Sequence, residues 1–367
     1  MLDIVFVREN PDAVEKDLIK RNDKERIESF RKLLEKDKRW RQLKRDSDEL
    51  RAKRNKLTQE IQEAKAKGAD VSAIISEAKE MPARIKAVDA EAEGLMKEIN
   101  YTLMRLPNIL HESVPVGSSS EDNVVVRSIG EAKPKPFELK HHGQLAQELG
   151  VADFERAVKI SGSGFYFLKG DLALLDYALM NYAIKTLVDR GYTLVEPPLM
   201  MRRTPYEGVT DLDDFENVMY KIDGDDMYLI ATSEHPMAAM YQDEIIEPQN
   251  LPIKYAGVSA CFRREIGKHG LDERGLFRVH QFNKIEQFIF CRPDDSWRYH
   301  EELIQNAEDL MRDLEMPYRV VNVCTGDIGT VAAKKYDLEG YSPREDKYIE
   351  LMSCSNCTAY QSARLNI

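Results

Sequence analysis

Apolar residues recur through the first hundred positions at the spacing of a packed helix. Leu43, Leu50, Leu57 and Ala64 stand seven apart, with Trp40 and Ile61 at the complementary heptad offset, where Ser47 and Arg54 interrupt the row. After Gly68-Ala69-Asp70 a second row, Ala78, Met81, Ile85, Val88, Ala92, Leu95, Ile99 and Thr102, alternates steps of three and four. Such steps keep one apolar stripe on one helix face. The pattern predicts two long helices joined by a tight turn, an antiparallel coiled-coil hairpin over residues 26–104, about 60 Å long at ~1.5 Å per residue. Pro82 lies inside the second helix and is expected to kink it or loosen its first turns. Ahead of the hairpin, LDIVFV reads as a short apolar strand or turn, and Asn10-Pro11-Asp12 as the start of a small helix.

Beyond Pro107 the pattern changes. HESVPVGSSSEDN and AKPKPFELKHHG read as loops around one short strand, NVVVRSI. GSGFYFLKGD predicts a glycine-entered strand and LALLDYALMNYAIKTLVDRG an amphipathic helix stopped by Gly191. YTLVEPPLMM predicts a strand broken by Pro197-Pro198. Proline cannot donate to a central ladder, so this strand belongs at an edge or a subunit contact. DDMYLIATSEHP predicts a strand running into a polar loop; further on follow a helix, DSWRYHEELIQNAEDLMRDLE, and the strands YRVVNVCTGDIG and KYIELMSCSNCTAYQ. Hairpin-joined strands with interspersed helices predict an α+β domain on an antiparallel sheet. The chain thus divides into an arm, 1–107, and a second domain, 108–367.

Candidate chemistry concentrates between Cys261 and Glu286. Two strands, VSACFRRE and LFRVHQFNKIEQFIF, flank IGKHGLDERG, whose three glycines and mixed charges predict a mobile, solvated loop. Alternation places Phe282, Lys284, Glu286 and Phe288 on one face of the return strand. An arginine facing an aromatic ring and a glutamate suits an anionic, flat, amine-bearing ligand. An amphipathic hairpin with a salt-bridged face would give the same spacing.

Charge sharpens the reading of the arm. The 367 residues carry a net charge of −11, yet Lys24 to Arg105 holds 21 Lys and Arg against 16 Asp and Glu. The acidic remainder should repel nucleic acid. The first helix, with Lys36, Lys38, Arg39, Arg41, Lys44, Arg45, Arg51, Lys53, Arg54 and Lys56, can track phosphates by counterion release. A spacer or dimerisation rod needs no such charge. The five cysteines are odd in number and scattered, which implies reduced thiols in a cytoplasm, and Cys354 and Cys357 lack the second pair a zinc site uses. No apolar run reaches membrane-spanning length, and MLDIVFVRENPD has acids where a signal peptide has bases. Neither GxGxxG nor GxxxxGK[ST] occurs.

Taken together, LDIVFVRENPDAV, the basic hairpin, GSGFYFLKGDLALLDYAL, GYTLVEPPLM, ATSEHP, CFRREIGKHGLDERGLFRVHQFNKIEQF and ELMSCSNCTAYQ resemble the seryl-tRNA synthetases along essentially the whole chain. These are class II aminoacyl-tRNA synthetases with a coiled-coil arm. The resemblance implies ATP-dependent activation of L-serine to seryl-adenylate, then transfer to tRNA-Ser, with tRNA-Sec a second candidate acceptor. It implies Arg263 and Arg278 at the transferring phosphate, where a planar guanidinium meets developing negative charge. It places Arg263, Arg264, Glu265, Arg278, Val279, Phe282, Glu350, Leu351, Met352 and Ser353 at ATP, with Glu265 and Phe282 on adenine. Thr232, Ser233, Glu234, Arg263 and Glu286 fall at serine, Glu286 reading the hydroxyl. Glu350 and Ser353 become ligands of an ATP-bound Mg²⁺. Lys38, Arg41, Lys44, Arg45, Arg51, Lys53 and Arg54 would grip the tRNA by shape, often across a homodimer.

Each residue also has a plainer reading: Arg263 paired with Glu265 on a strand face, Phe282 as core, and Thr232 with Glu234 as a helix-start signal. Two departures from the family stand out. Ala363 replaces an arginine of YQARRLNI, and the sequence reaches Ile367 before any counterpart of motif 3. From these, weak or absent adenylation by these 367 residues is expected. A non-catalytic homologue that binds RNA or a partner is the first alternative. An enzyme that loads serine onto a carrier protein, and a purely structural coiled coil, are the others.

Overall fold

The heptad rows form two helices in the computed structural model, which describes residues 1–210, 217–265 and 275–367. Residues 266–274, nearly all of the glycine-rich loop expected to be mobile, lie outside the described residues. Backbone proximity divides the chain into two units, Leu2–Leu106 and Pro107–Ile367, the latter including Met1.

The first unit holds α1 (Ile4–Glu9), α2 (Pro11–Lys20), α3 (Lys24–Ala66) and α4 (Ser72–Leu103). The IVFV of LDIVFV is therefore helical, neither strand nor turn. Asp3 caps it, its carboxylate accepting from the backbone N–H of Val5 and Phe6, and a satisfied N-terminus outweighs the β preference of Val and Phe. Helix α4 runs unbroken through Pro82. Pro82 sits in its exposed early part, so the missing donor falls on the solvent side.

Leu43 and Leu57 of the predicted stripe are buried in α3, as are Met81, Ile85, Ala92 and Ile99 in α4. Phe30, Leu33 and the carboxylate of Asp37 extend the seam toward the start of α3. Ser47, an interruption of the row, is buried and donates to Asp89 Oδ1 at 2.6 Å, while Arg51 holds the other carboxylate oxygen at 2.7 Å. The polar break in the stripe thus has its own partner on the opposite helix. Lys36 pairs with Glu98, Arg39 with Glu91 and Lys53 with Glu77. As one member of these pairs advances the other retreats, which is antiparallel packing. Asp37 is 2% exposed and receives Arg8 of α1 at 2.6 Å and Arg41 at 3.0 Å. This cluster ties the N-terminal helices to the hairpin.

Among the described residues the second unit contains four sheets. β1 (Val124–Ile129), β9 (Tyr318–Asn322), β10 (Lys334–Ser342) and β11 (Lys347–Asn356) form an antiparallel sheet in that order. β4 (Thr193–Val195), β7 (Ile253–Phe262) and β8 (Gln281–Phe290) form the second. β7 and β8 are antiparallel, whereas β4 pairs parallel to β7. The long segment between β4 and β7 permits that parallel return. Pro197-Pro198 lies just beyond edge strand β4 and before β5 (Met200–Arg202), which pairs with β6 (Met227–Leu229). GSGFYFLKGD yields only β3 (Phe167–Leu168), paired with β2 (Ala152–Asp153). Gly162, Gly164 and Gly170 adopt positive φ and break the extended run on both sides.

Its α-helices among the described residues are α5 (His142–Glu148), α6 (Phe154–Ser161), α7 (Gly170–Asp189), α8 (Arg203–Val209), α9 (Glu234–Ala239), α10 (Ser296–Asp313) and α11 (Tyr360–Leu365). Ile304, Ala307 and Met311 of α10 pack on Tyr318, Val320, Tyr336 and Leu338 of the four-stranded sheet. Leu187 of α7 meets Ala256 of β7 and, half-buried, Ile285 and Ile289 of β8. Tyr206 of α8 anchors a further core with Tyr228, Ile230, Ala238 and Leu365.

In that core the buried His235 ring bonds the Tyr206 hydroxyl at 2.9 Å. Burial, helped by the charges of Lys284 and Arg263, lowers its pKa from 6.5 to about 3. Between those values unfolding takes up a proton, so stability falls as pH drops through that window. Replacing His235 by Asn should flatten the acid-side slope of stability by close to one proton between about pH 6 and 4, measured by urea unfolding at a series of pH values. In the arm, Arg8→Ala leaves the buried Asp37 carboxylate with Arg41 as its remaining guanidinium. It should lower the unfolding free energy by about 1–3 kcal/mol, read from urea-induced loss of helical circular dichroism.

Candidate active site

The register of β7 on β8 sets Gly257 opposite Glu286, Ser259 opposite Lys284 and Cys261 opposite Phe282. Opposed residues share a face, so Phe282, Lys284 and Glu286 look out beside the end of β7. Arg263 lies one residue past β7, and its backbone N–H still donates to His280 O at 3.0 Å. Two residues from Cys261, its side chain turns to the same face. The guanidinium lies 5.2 Å from the Phe282 ring centroid, and Nε donates to Ala231 O at 3.3 Å. Its two Nη groups make no hydrogen bond among the described residues.

Arg263 is not paired with Glu265. Arg278 approaches Glu265 instead, with Nη1 3.7 Å from Oε2. Residues 276–280 precede β8, so the expected strand LFRVHQFNKIEQFIF begins only at Gln281 and Arg278 lies outside it. Its Nε is nonetheless buried without a hydrogen bond among the described residues. Arg264 is fixed through its backbone, donating to Val218 O at 2.9 Å, and Val279 is buried.

The ATSE segment reaches the same face. Thr232 Oγ1 donates to Glu286 Oε2 at 2.8 Å and accepts from Lys284 Nζ at 3.0 Å. The backbone N–H of Glu234 also donates to Thr232 Oγ1, at 3.2 Å. Lys284 and Glu286 form an ion pair. Ser233 is fully buried, and its Oγ has no partner among the described residues. That oxygen lies against Gly257, where an added Cβ would sit 2.8 Å from it and 2.6 Å from Met237 Cε. Glycine is required there because backbone and helix α9 approach too closely for a side chain.

The Glu234 carboxyl accepts from Gln361 Nε2 at 2.8 Å, and Gln361 also reaches Val209 O at 3.1 Å. Burial raises the pKa of Glu234 most, and the charge of Glu286 raises it further. Two carboxylates thus stand near one another, with Lys284 and Arg263 as the nearby cations.

A second group forms on β10 and β11. The pairing slips between Leu338 opposite Met352 and Glu339 opposite Glu350, which makes Leu351 an extra, bulged residue. In a regular strand residues three apart face opposite ways. The bulge reverses that parity, and Ser353 Oγ donates to Glu350 Oε1 at 2.9 Å. Asp337, opposite Ser353, is buried beside Lys335 at 3.0 Å, with Oδ1 lacking a partner among the described residues. Leu351 lies over Gly340, and Met352 packs against the core under α10.

On the arm, all seven bases expected to meet RNA are exposed. Arg41, Arg51 and Lys53 are held by Asp37, Asp89 and Glu77. Arg45 and Arg54 reach only the amides of Gln42 and Asn55. Lys38 and Lys44 form no salt bridge among the described residues. Residue order alone did not single out Gly257, Asp337 and Gln361, whose placement beside Ser233, Ser353 and Glu234 joins separate segments. Lys284 was visible only as a neighbour of Glu286 on one strand face.

Residues 1–110 match the family described as the seryl-tRNA synthetase N-terminal domain, and residues 218–367 the class II tRNA synthetase core domain of the G, H, P, S and T type. The chain is 61% identical over its whole length to a serine–tRNA ligase of Methanospirillum hungatei, of which it spans 86%. Seryl-tRNA synthetase from Pyrococcus horikoshii, solved with ATP, superposes with a TM-score of 0.97 at 46% identity, covering all of this chain and 87% of that one. The cytoplasmic serine–tRNA ligase of Naegleria fowleri, solved with AMP, gives 0.91 at 33% identity, covering all of this chain and 88% of that one. With full-length identity of this order and both domain types matched in sequence, the chain belongs to the seryl-tRNA synthetases.

Proposed function

We propose that the β7–β8 face is where this serine–tRNA ligase activates serine with ATP. The observation that carries the reading is the joining of Arg263, Phe282, Thr232 and Glu286 on one face. Phe282 offers a flat surface for adenine, and Glu265 an acceptor for its amino group. The serine ammonium goes to the Glu234 carboxylate of the ATSE segment, and the hydroxyl to Glu286. The serine carboxylate oxygen attacks the α-phosphorus, and the bond to pyrophosphate breaks as the new P–O bond forms. Negative charge gathers on the α-phosphoryl oxygens. The open Nη fork of Arg263, held through Nε, stabilises that charge with no reorganisation. Arg278 supports the phosphates.

Glu350 and Ser353 fit a Mg²⁺ carried in with ATP, because the bulge turns both oxygens to one face and buried Asp337 Oδ1 is left without a partner. When bound, the ion neutralises phosphate charge.

Residues 1–107 serve as the tRNA-binding arm, with Lys38, Lys44, Arg45 and Arg54 its most available bases. The acceptor is tRNA-Ser, with tRNA-Sec a second candidate. The working form is a homodimer. Helix α7 leaves Leu174 67% and Tyr177 62% exposed, an apolar face that a second copy would cover. The setting is the cytoplasm; no described helix is long and apolar enough to cross a membrane.

Arg263→Gln should lower serine-dependent ATP–pyrophosphate exchange by about 100-fold or more, while deletion of 26–103 preserves exchange and abolishes aminoacylation. Exchange that survives Arg263→Gln would overturn the site assignment. Leu174→Asp with Tyr177→Asp should shift the sedimentation coefficient from dimer to monomer; an unchanged dimer would place the interface elsewhere.

A further inference from the structure

The hydroxyl of Thr232 has one proton and two lone pairs, and all three are committed. Lys284 Nζ donates to it at 3.0 Å and the Glu234 backbone N–H at 3.2 Å, so both acceptor positions are filled. Its proton can then point only to Glu286 Oε2, 2.8 Å away. The same Oε2 receives the Lys284 ammonium in an ion pair. Two donors therefore hold one oxygen of Glu286, and Oε1 makes no hydrogen bond among the described residues. The Glu286 side chain is 17% exposed and that of Lys284 32%, so the pair is largely shielded from solvent.

We propose that Lys284 is a specificity-setting positioning residue, which pins Oε2 of Glu286 through Thr232 and directly, and so leaves Oε1 as the single oxygen that reads the amino-acid side chain. This rests on the reading of Glu286 as the residue that meets the serine hydroxyl. A pinned carboxylate presents one acceptor at one place. Serine supplies the matching O–H, whereas alanine leaves Oε1 desolvated and unpaired, which is the kind of mismatch that rejects a substrate strongly.

Without Lys284 the Thr232 hydroxyl loses one of the donors that orient it, and Oε2 loses its charged partner. Glu286 is then free to rotate and present either oxygen. It also stays near the Glu234 carboxylate, with Arg263 as the remaining nearby cation. An alternative role for Lys284, gripping the carboxylate common to all amino acids, predicts something different. Its loss would then weaken serine and alanine alike, because removing uniform binding cannot alter a ratio.

The test compares ATP–pyrophosphate exchange with serine and with alanine in the full-length protein carrying Lys284→Met, Lys284→Gln or Lys284→Arg, alongside Glu286→Gln. Thermal unfolding identifies folded variants. The Met and Gln variants should lower the serine-to-alanine ratio of kcat/KM by about ten-fold or more, mainly through a higher KM for serine. Arg, which keeps the charge, should retain most of the ratio. If Met fails to fold, the Gln and Arg pair still decides. The proposal is overturned if Met and Gln weaken both amino acids equally, or if Arg loses as much of the ratio as Gln. When Glu286→Gln lowers the ratio but the Lys284 variants do not, only the role of Lys284 fails. When Glu286→Gln also leaves the ratio intact, the pocket reading itself fails, and the proposal with it.

Discussion

Ten consecutive residue pairs join β7 to β8, from Ile253 opposite Phe290 to Phe262 opposite Gln281, and the proposed ligand contacts depend on that register. Side chains alternate along a strand, so a slip of one residue would turn Phe282, Lys284 and Glu286 to the other face together. The ladder is held against such a slip beyond its own hydrogen bonds. At its end, Phe262 donates to Ile230 O and Arg264 to Val218 O, which fastens β7 to the segments around ATSE. In its middle, Gly257 lets Ser233 and Met237 of the adjoining helix come close. The same contacts that fix the register therefore bring Thr232 and Glu234 to the strand face. Fold and pocket rest on one set of constraints.

A comparable dependence on parity governs β11. Glu350 and Ser353 share a face because Leu351 is an extra residue, and Gly340 leaves room for its side chain on the neighbouring strand. Regular alternation would send one of the two oxygens to the other side of the sheet. The bulge also sends Met352 toward the core beneath α10, so one irregularity serves both packing and the arrangement of oxygens.

Charge on the arm divides between two tasks. Lys36, Arg39, Arg51 and Lys53 reach across the hairpin to Glu98, Glu91, Asp89 and Glu77. These pairs are exposed and individually contribute little, on the order of 0–1 kcal/mol, but they match the two helices in antiparallel register. Lys38, Lys44, Arg45 and Arg54 are left without carboxylate partners among the described residues. A count of basic residues thus overstates the charge available to a phosphate backbone.

Residue order alone determined the two-helix arm, because heptad spacing is a local property that survives without tertiary contacts. Alternation in QFNKIEQF likewise put Phe282, Lys284 and Glu286 on one face, and the motif set identified the family. Local reading went wrong where ends decide structure. IVFV became helical through the Asp3 cap, GSGFYFLKGD was cut short by positive-φ glycines, and the strand expected from Leu276 began only at Gln281. What only the tertiary structure decided are pairings between distant segments: Lys284 with Thr232, Gln361 with Glu234, Asp337 opposite Ser353, and Asp37 with Arg8. A hydrogen bond needs two groups within about 3 Å in a fixed orientation, and sequence spacing carries no such information once the partners lie tens of residues apart.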